Sequence, residues 1–249
     1  MYQKRIFNPQ SKTPFEISRS GIELFFQCPR CFYLDKIFGI GRPSFPAFTL
    51  NNAVDILLKK EFDTHRADGK IHPLMKTYNI NAVPFKHIKM GEWRNNFKGL
   101  RAYHKSTNFM IFGAVDDIWL APGKTLKVVD YKATSINGKI NLDDKYKVAF
   151  KRQMEIYQWL LRRQEDLKKE GYQVSNEGFF VYANARKDEK AFDKKLEFNV
   201  EIISYLGDDS WVEGKIIEAH KCLLGDEIPE PALECEYCNY RKAVLKYEK

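Results

Sequence analysis

The sequence predicts an α/β domain with helices packed against a central mixed β-sheet. Three observations lead there. Helical spacing of apolar residues fills much of 18–66. Two apolar strands flank a Pro-Gly turn within 109–133. A long helix over about 145–170 precedes two further strands and another helix.

The elements follow in order. The first dozen residues read as an arm. Ser18 or Ser20 caps a helix over "GIELFFQCPRCFYLDKIFGI", with Ile22, Phe25, Phe26 and Phe32 on its apolar side and Pro29 kinking or ending it. "GRPSFPAF" is a Pro-rich connector. A second helix covers "LNNAVDILLKKEFDTHR", with a stripe of Val54, Leu57, Leu58 and Phe62. Residues 68–90 read as short strands and loops. Strands are expected at about 109–120 and 125–133, joined by "APGKT". Gly171 ends the long helix. "EGFFVYANAR" and "KKLEFNVEIISY" read as strands, and 207–224 as a helix leading to a cysteine-bearing tail.

The 249 residues can bury a sizeable core, and 44% hydrophobic content excludes a disordered chain. Lys and Arg outnumber Asp and Glu by 41 to 33, a net charge of +8 that suits either a polyanionic partner such as nucleic acid or simply a basic surface. "MYQKRIFNPQSKTPFEIS" lacks the apolar region of a secretory leader, and no apolar run approaches a membrane span. The expected location is the cytoplasm, with no membrane partner. In that reducing compartment, five cysteines point to metal or catalysis before disulfides.

Acidic residues interrupt the two apolar strands of "FGAVDDIWLAPGKTLKVVDYKATS". In an antiparallel hairpin centred near Gly123, Asp116 and Asp130 face each other on one side of the sheet. Lys132 shares that side, while Asp117 and Tyr131 point to the other. Opposed carboxylates repel unless a cation lies between them, and Mg²⁺ is held by such oxygen ligands. An adjacent lysine can orient a water and stabilise charge on a phosphate, so Asp, Asp and Lys make a compact phosphodiesterase. The competing reading of "DYK" is a surface ion pair on an edge strand. Gln153 and Tyr157, at i and i+4 in "KRQMEIYQWLL", share a helical face; alone they read as a solvated glutamine and a core tyrosine.

"GAVD", then "VVDYK", then "QMEIY" resembles the PD-(D/E)XK nuclease superfamily in its RecB-like branch, which carries GxxD, (D/E)xK and QxxxY motifs in this order. "FFQCPRCFYL" is similar to the N-terminal segment of RecB-like and CRISPR-associated exonucleases. The resemblance implies one restriction-endonuclease-like domain over 1–249, with a core at about 48–205 and cysteine-bearing flanks at about 18–40 and 222–249. It implies a Mg²⁺- or Mn²⁺-dependent deoxyribonuclease, an exonuclease or end-processing enzyme. Asp116, Asp130 and the Tyr131 carbonyl would hold the metal, Lys132 would be the catalytic lysine, and Gln153 and Tyr157 would steady the site or touch DNA. The family often places a histidine ligand on the upstream helix. Here Asp55 stands at that position, either as a ligand or as a solvated helix charge. The alternative is a non-catalytic DNA-binding or structural subunit beside a helicase or CRISPR adaptation proteins. The chain itself has no GxxxxGK[ST] stretch.

Cys28 and Cys31 form one C-x-x-C, and Cys235 and Cys238 another. Together they make a four-thiolate metal site that ties the two flanks; buried free cysteines or two unrelated pairs are the alternatives. Cys222 reads as a packed helix residue. The spacing suits structural Zn²⁺ and a 4Fe–4S cluster equally. The resemblance favours the cluster, although the family usually has one cysteine before the core and three after it. For DNA contact, Lys145, Lys147, Lys151 and Arg152 lead into the QxxxY helix. "GEWRNNFKGLRAYHK" reads as an amphipathic helix with its aromatics packed inward.

Overall fold

The computed structural model describes residues 5–44, 46, 48–144 and 147–248. Strand β1 (Phe15–Ser18) leads into helices α1 (Arg19–Gln27) and α2 (Pro29–Ile37). Helix α3 (Thr49–Asp68) precedes the short α4 (Pro73–Thr77), β2 (Val83–Pro84) and α5 (Met90–Trp93). Four strands follow: β3 (Leu100–His104), β4 (Phe109–Gly113), β5 (Asp117–Ala121) and β6 (Thr125–Thr134). Then come helices α6 (Val148–Leu161) and α7 (Glu165–Lys169). Strands β7 (Gln173–Val174), β8 (Glu177–Ala185) and β9 (Phe198–Leu206) precede α8 (Ser210–Leu224) and α9 (Glu236–Val244).

The chain forms two compact units. One comprises residues 1–46, 101–112 and 210–249, the other residues 47–100 and 113–209. In the first unit, Ser18 caps α1 by accepting a hydrogen bond from the Gly21 N–H at 3.1 Å. Pro29 starts a new helix at its first position, because it disfavours helical backbone at the residue before it and lacks an N–H to donate. Cys28 is accordingly extended, at φ −166°. A three-stranded sheet of order β1-β4-β3 pairs β1 in parallel with β4. Strand β1 was hidden in the sequence by its four-residue length.

The second unit holds a six-stranded mixed sheet of order β2-β5-β6-β8-β9, with β7 also pairing with β6. Strand β6 runs antiparallel to β5 and parallel to β8. Helices α3 and α6 both pack on β6. On the α3 side, Leu58 and Phe62 meet Trp119, Val129, Tyr131 and Phe179 in one apolar core. The stripe on α3 is narrower than expected: Val54, Leu58 and Phe62 turn inward, but Leu57 is exposed.

Three expectations need correction. The strand expected over 109–120 is two strands, β4 and β5, in different sheets, with 114–116 between them. The helix expected over 145–170 breaks after Leu161, where the Gln164 side chain donates to the Leu160 carbonyl at 2.8 Å and satisfies a group the helix would otherwise need. "GEWRNNFKGLRAYHK" is helical only over its first three residues, the end of α5. The Asn95 side chain accepts from the backbone N–H of Phe97 and Lys98, and Gly99 takes φ +62°, turning the chain into β3. Trp93 is buried, while Phe97 and Tyr103 are exposed. In 68–90, α4 adds a helical turn, started by Pro73 and capped by His72.

Candidate active site

The β5–β6 hairpin turns at Gly123, whose φ of +71° is open to glycine without strain. Its register pairs Asp117 with Val129 and Ala121 with Thr125, so Asp116 lies opposite Asp130, one step beyond the paired ladder. Asp116 leaves the ladder because both its polar groups are engaged elsewhere. Its carbonyl accepts from Arg94 Nε at 2.8 Å, and its Oδ2 accepts from the Tyr131 N–H at 2.9 Å. Tyr131 therefore donates to a carboxylate instead of a β5 carbonyl, and its own C=O projects from the same strand edge.

Asp130 is fully buried on β6. Gln153 Nε2 on α6 donates to its Oδ1 at 2.8 Å and lies 3.2 Å from the Tyr157 hydroxyl. Lys132 forms an ion pair with Asp130 Oδ2, and its ammonium lies 4.7 Å from the centre of the Phe150 ring. Gln153 is thus aimed at a strand carboxylate, and Tyr157 is buried behind it.

Asp55 lies on the site side of α3. Lys59, one turn on, bridges it to Asp116: Nζ is 2.7 Å from Asp55 Oδ2 and 2.9 Å from Asp116 Oδ1. Burial raises the Asp55 pKa above its ordinary 3.8, and the Asp116 charge raises it further. Burial also works against the Lys59 charge, but the two carboxylates outweigh it and hold the ammonium above its ordinary 10.5. Asp55, Asp116, Asp130, Lys132, Gln153 and the Tyr131 backbone therefore belong to one connected region. Its carboxylates are held as two cation pairs, one on Lys59 and one on Lys132.

Asp117, on the other side of the strand, answers to a different network. It is fully buried, and Arg66 Nη2 contacts its Oδ1 at 2.6 Å, with Arg94 Nη2 at 3.2 Å. The Tyr131 hydroxyl donates to its Oδ2 at 2.7 Å. Asp63 accepts from both arginines. Arg94 thereby joins this network to the Asp116 backbone. Sequence reasoning missed Lys59, Asp63, Arg66 and Arg94. The only sequence signals were spacings on α3, Asp55–Lys59 at i,i+4 and Asp63–Arg66 at i,i+3.

Of the expected DNA contacts, Lys147 precedes α6, with Nζ 2.8 Å from the Asn141 carbonyl. Lys151 pairs with Asp143 at 2.6 Å, and Arg152 lies half-buried on α6. Lys145 lies outside the described residues.

In the first unit the two C-x-x-C pairs converge. The sulfurs of Cys28, Cys31, Cys235 and Cys238 all lie within 4.8 Å of one another. Cys28 and Cys235 are the N-caps of α2 and α9, which places positive helix ends at the sulfurs. Cys222 is half-buried on α8. Among the described residues, no helix is long and apolar enough to cross a membrane.

Residues 77–243 match the family described as the PD-(D/E)XK nuclease superfamily. The chain belongs to this superfamily. Its members use divalent metals, and they are nucleases. A crystal structure from Eubacterium rectale described as "Putative exonuclease" is 14% identical; the match covers 90% of this chain and 87% of that one, with a TM-score of 0.43. No curated protein matches the chain.

The donor types are those of a divalent-metal site, although among the described residues the four cysteines are the one group of three or more candidate side-chain ligands already drawn together. Carboxylate oxygens and a strand-edge carbonyl are the ligands a hard cation takes. The Lys59 ammonium already stands between Asp55 and Asp116, where two acidic groups call for positive charge.

Proposed function

We propose that the chain is a Mg²⁺- or Mn²⁺-dependent deoxyribonuclease, acting as an exonuclease or end-processing enzyme within a single nuclease-like domain. The observation that carries this reading is the convergence on β6. Asp130, the Tyr131 backbone and Lys132 are consecutive, and they engage Gln153, Asp116 and Asp130 respectively. Asp55, Asp116, Asp130 and the Tyr131 carbonyl would hold the metal. A bound divalent ion would offset the carboxylate charge and lower the pKa of a water enough to make it a nucleophile.

The chain's own residues do the rest. Lys132, freed from Asp130, would hydrogen-bond a non-bridging phosphate oxygen and stabilise charge as the water oxygen bonds to phosphorus and the P–O bond to the leaving nucleotide breaks. Gln153 fixes the orientation of the Asp130 carboxylate, and Tyr157 fixes Gln153 in turn. Lys147, Lys151, Arg152 and Lys145 would meet the DNA backbone beside α6. A second reading has one observation in its favour. Lys59 fills the space between Asp55 and Asp116, as it would in a non-catalytic DNA-binding subunit of a helicase-containing or CRISPR adaptation assembly.

End-labelled single- and double-stranded DNA with Mn²⁺ separates the two. Cleavage by the wild type, lost in Asp130→Asn and Lys132→Met, supports the nuclease. DNA binding without cleavage by any of the three supports the subunit.

A further inference from the structure

We propose that the four cysteines hold a single tetrahedral Zn²⁺ ion rather than an iron–sulfur cluster, and that this ion docks α9. The inference is independent of the nuclease reading, because it rests on the sulfur positions alone. Cys31 Sγ lies 3.6 Å from Cys235 Sγ and 3.7 Å from Cys238 Sγ, and Cys28 Sγ lies 3.9 Å from Cys238 Sγ. A tetrahedral ion with Zn–S bonds of about 2.3 Å sets its sulfurs about 3.8 Å apart. In a 4Fe–4S cluster each thiolate binds a different iron and points away from the cube, so the sulfurs must stand much farther apart. Four sulfurs within 4.8 Å of one another enclose room for one ion, not for four irons and four sulfides. The cluster favoured by the family resemblance therefore does not fit this cysteine set.

The surroundings suit a closed, structural ion. Three of the cysteines are buried, and all four positions of a tetrahedron are filled by protein, leaving none open for substrate. Four thiolates in contact repel, and they cannot all ionise without a cation among them. Arg42 Nη2 lies 3.5 Å from Cys235 Sγ and supplies positive charge for the excess of two negative charges on a four-thiolate zinc. Zn²⁺ has no preferred geometry of its own and accepts this all-sulfur tetrahedron.

The role of the ion follows from α9. This nine-residue helix has no buried residue, and so short a helix is marginal by itself in water. Its anchors are Cys235 at its cap and Cys238 in its first turn, with Ala232 and Tyr237 packed against the sulfurs.

The test is metal analysis of full-length protein purified without oxygen from cells supplied with both iron and zinc. The expected result is about one zinc per chain, with neither acid-labile sulfide nor visible absorbance. Co²⁺ exchanged into the site should give the intense bands of tetrahedral thiolate coordination. Removing zinc with a strong chelator should speed amide exchange over 235–244 while leaving β6 and β8 protected. Iron with sulfide, or iron alone, overturns the proposal. So does a metal-free chain in which 235–244 stays fully protected, or one whose cysteines are paired as disulfides. Cys238→Ser should lose zinc and α9 protection together; if that variant is insoluble, the wild-type metal count still decides.

Discussion

On the proposed ligand set, Lys59 sets how easily the acidic region accepts a metal. Its ammonium bridges Asp55 and Asp116, so an incoming divalent ion must displace it. Lys59→Gln removes that competitor and leaves two carboxylates without their cation. The Mn²⁺ concentration for half-maximal cleavage should fall several-fold; a rise would show that Lys59 assists the reaction. Asp117 has the opposite character, a structural charge. It is fully buried against Arg66 and Arg94, and Asp117→Ala leaves both arginines short of a partner. Breaking a buried pair this way costs about 3–5 kcal/mol, measurable by urea unfolding. The same network predicts a pH effect. Burial works to raise the Asp63 pKa, but hydrogen bonds from Arg66 and Arg94 outweigh it and hold the carboxyl below 3.8. A depressed folded pKa stabilises the fold above the unfolded value, and that contribution is lost as pH falls through the folded one. The Tm gap between wild type and Asp63→Asn should therefore hold steady from neutral pH to about pH 5 and close in stronger acid. A gap that widened in acid would refute this. Asp116 and Asp130 were legible in the sequence because alternation and a Pro-Gly turn fix a hairpin register. Lys59, Arg66 and Arg94 were not, because a charged helix residue reads as solvated until its partner on a distant strand is known.

The placement of α6 depends on a residue without a side chain. A Cβ at Gly178 on β8 would lie 2.8 Å from the Val128 carbonyl oxygen and 2.6 Å from Met154 Sδ on α6. Met154 is flexible and can yield, but the Val128 backbone cannot. Gly178 therefore lets α6 come down onto the sheet, one residue from the Gln153 that reaches Asp130. Gly178→Ala should cost about 1–3 kcal/mol by overpacking and lower kcat more than it changes DNA affinity. Equal loss of both would instead indicate general unfolding. At this scale long periodic elements were readable: α3, β6, β8, β9 and α8 carry strong patterns. The failures came from local chemistry that overrides a pattern. Asn95 and Gly99 stop a helix that the spacing of Trp93, Phe97 and Tyr103 predicts, and Gln164 closes α6 early. The four-residue β1 has too little pattern to read, although it completes a sheet with β4.

For the whole molecule, the surplus of 41 basic over 33 acidic residues, net +8, predicts nucleic-acid affinity that is electrostatic in origin. Such binding weakens with salt because each neutralised phosphate releases condensed counterions. The slope of log K against log salt is about −0.9 per contact on a duplex and about −0.7 on a single strand. Net charge alone does not say which residues make the contacts. Lys147 and Lys151 are held by Asn141 and Asp143 on the approach to α6, so DNA phosphates would take over from local acceptors there. Binding should be measured in Ca²⁺, without Mg²⁺ or Mn²⁺, at several salt concentrations. Lys147→Gln, Lys151→Gln and Arg152→Gln combined should make the duplex slope shallower by about 2–3, while Lys89→Gln, a basic residue on neither α6 nor the segment leading into it, should leave it unchanged. Asp143→Ala frees Lys151 and should strengthen binding. A triple variant with the wild-type slope would move the DNA path away from α6. If Asp55, Asp116 and Asp130 hold the ion as proposed, replacing Ca²⁺ with a chelator should weaken binding in every variant, because less positive charge then stands beside the phosphates.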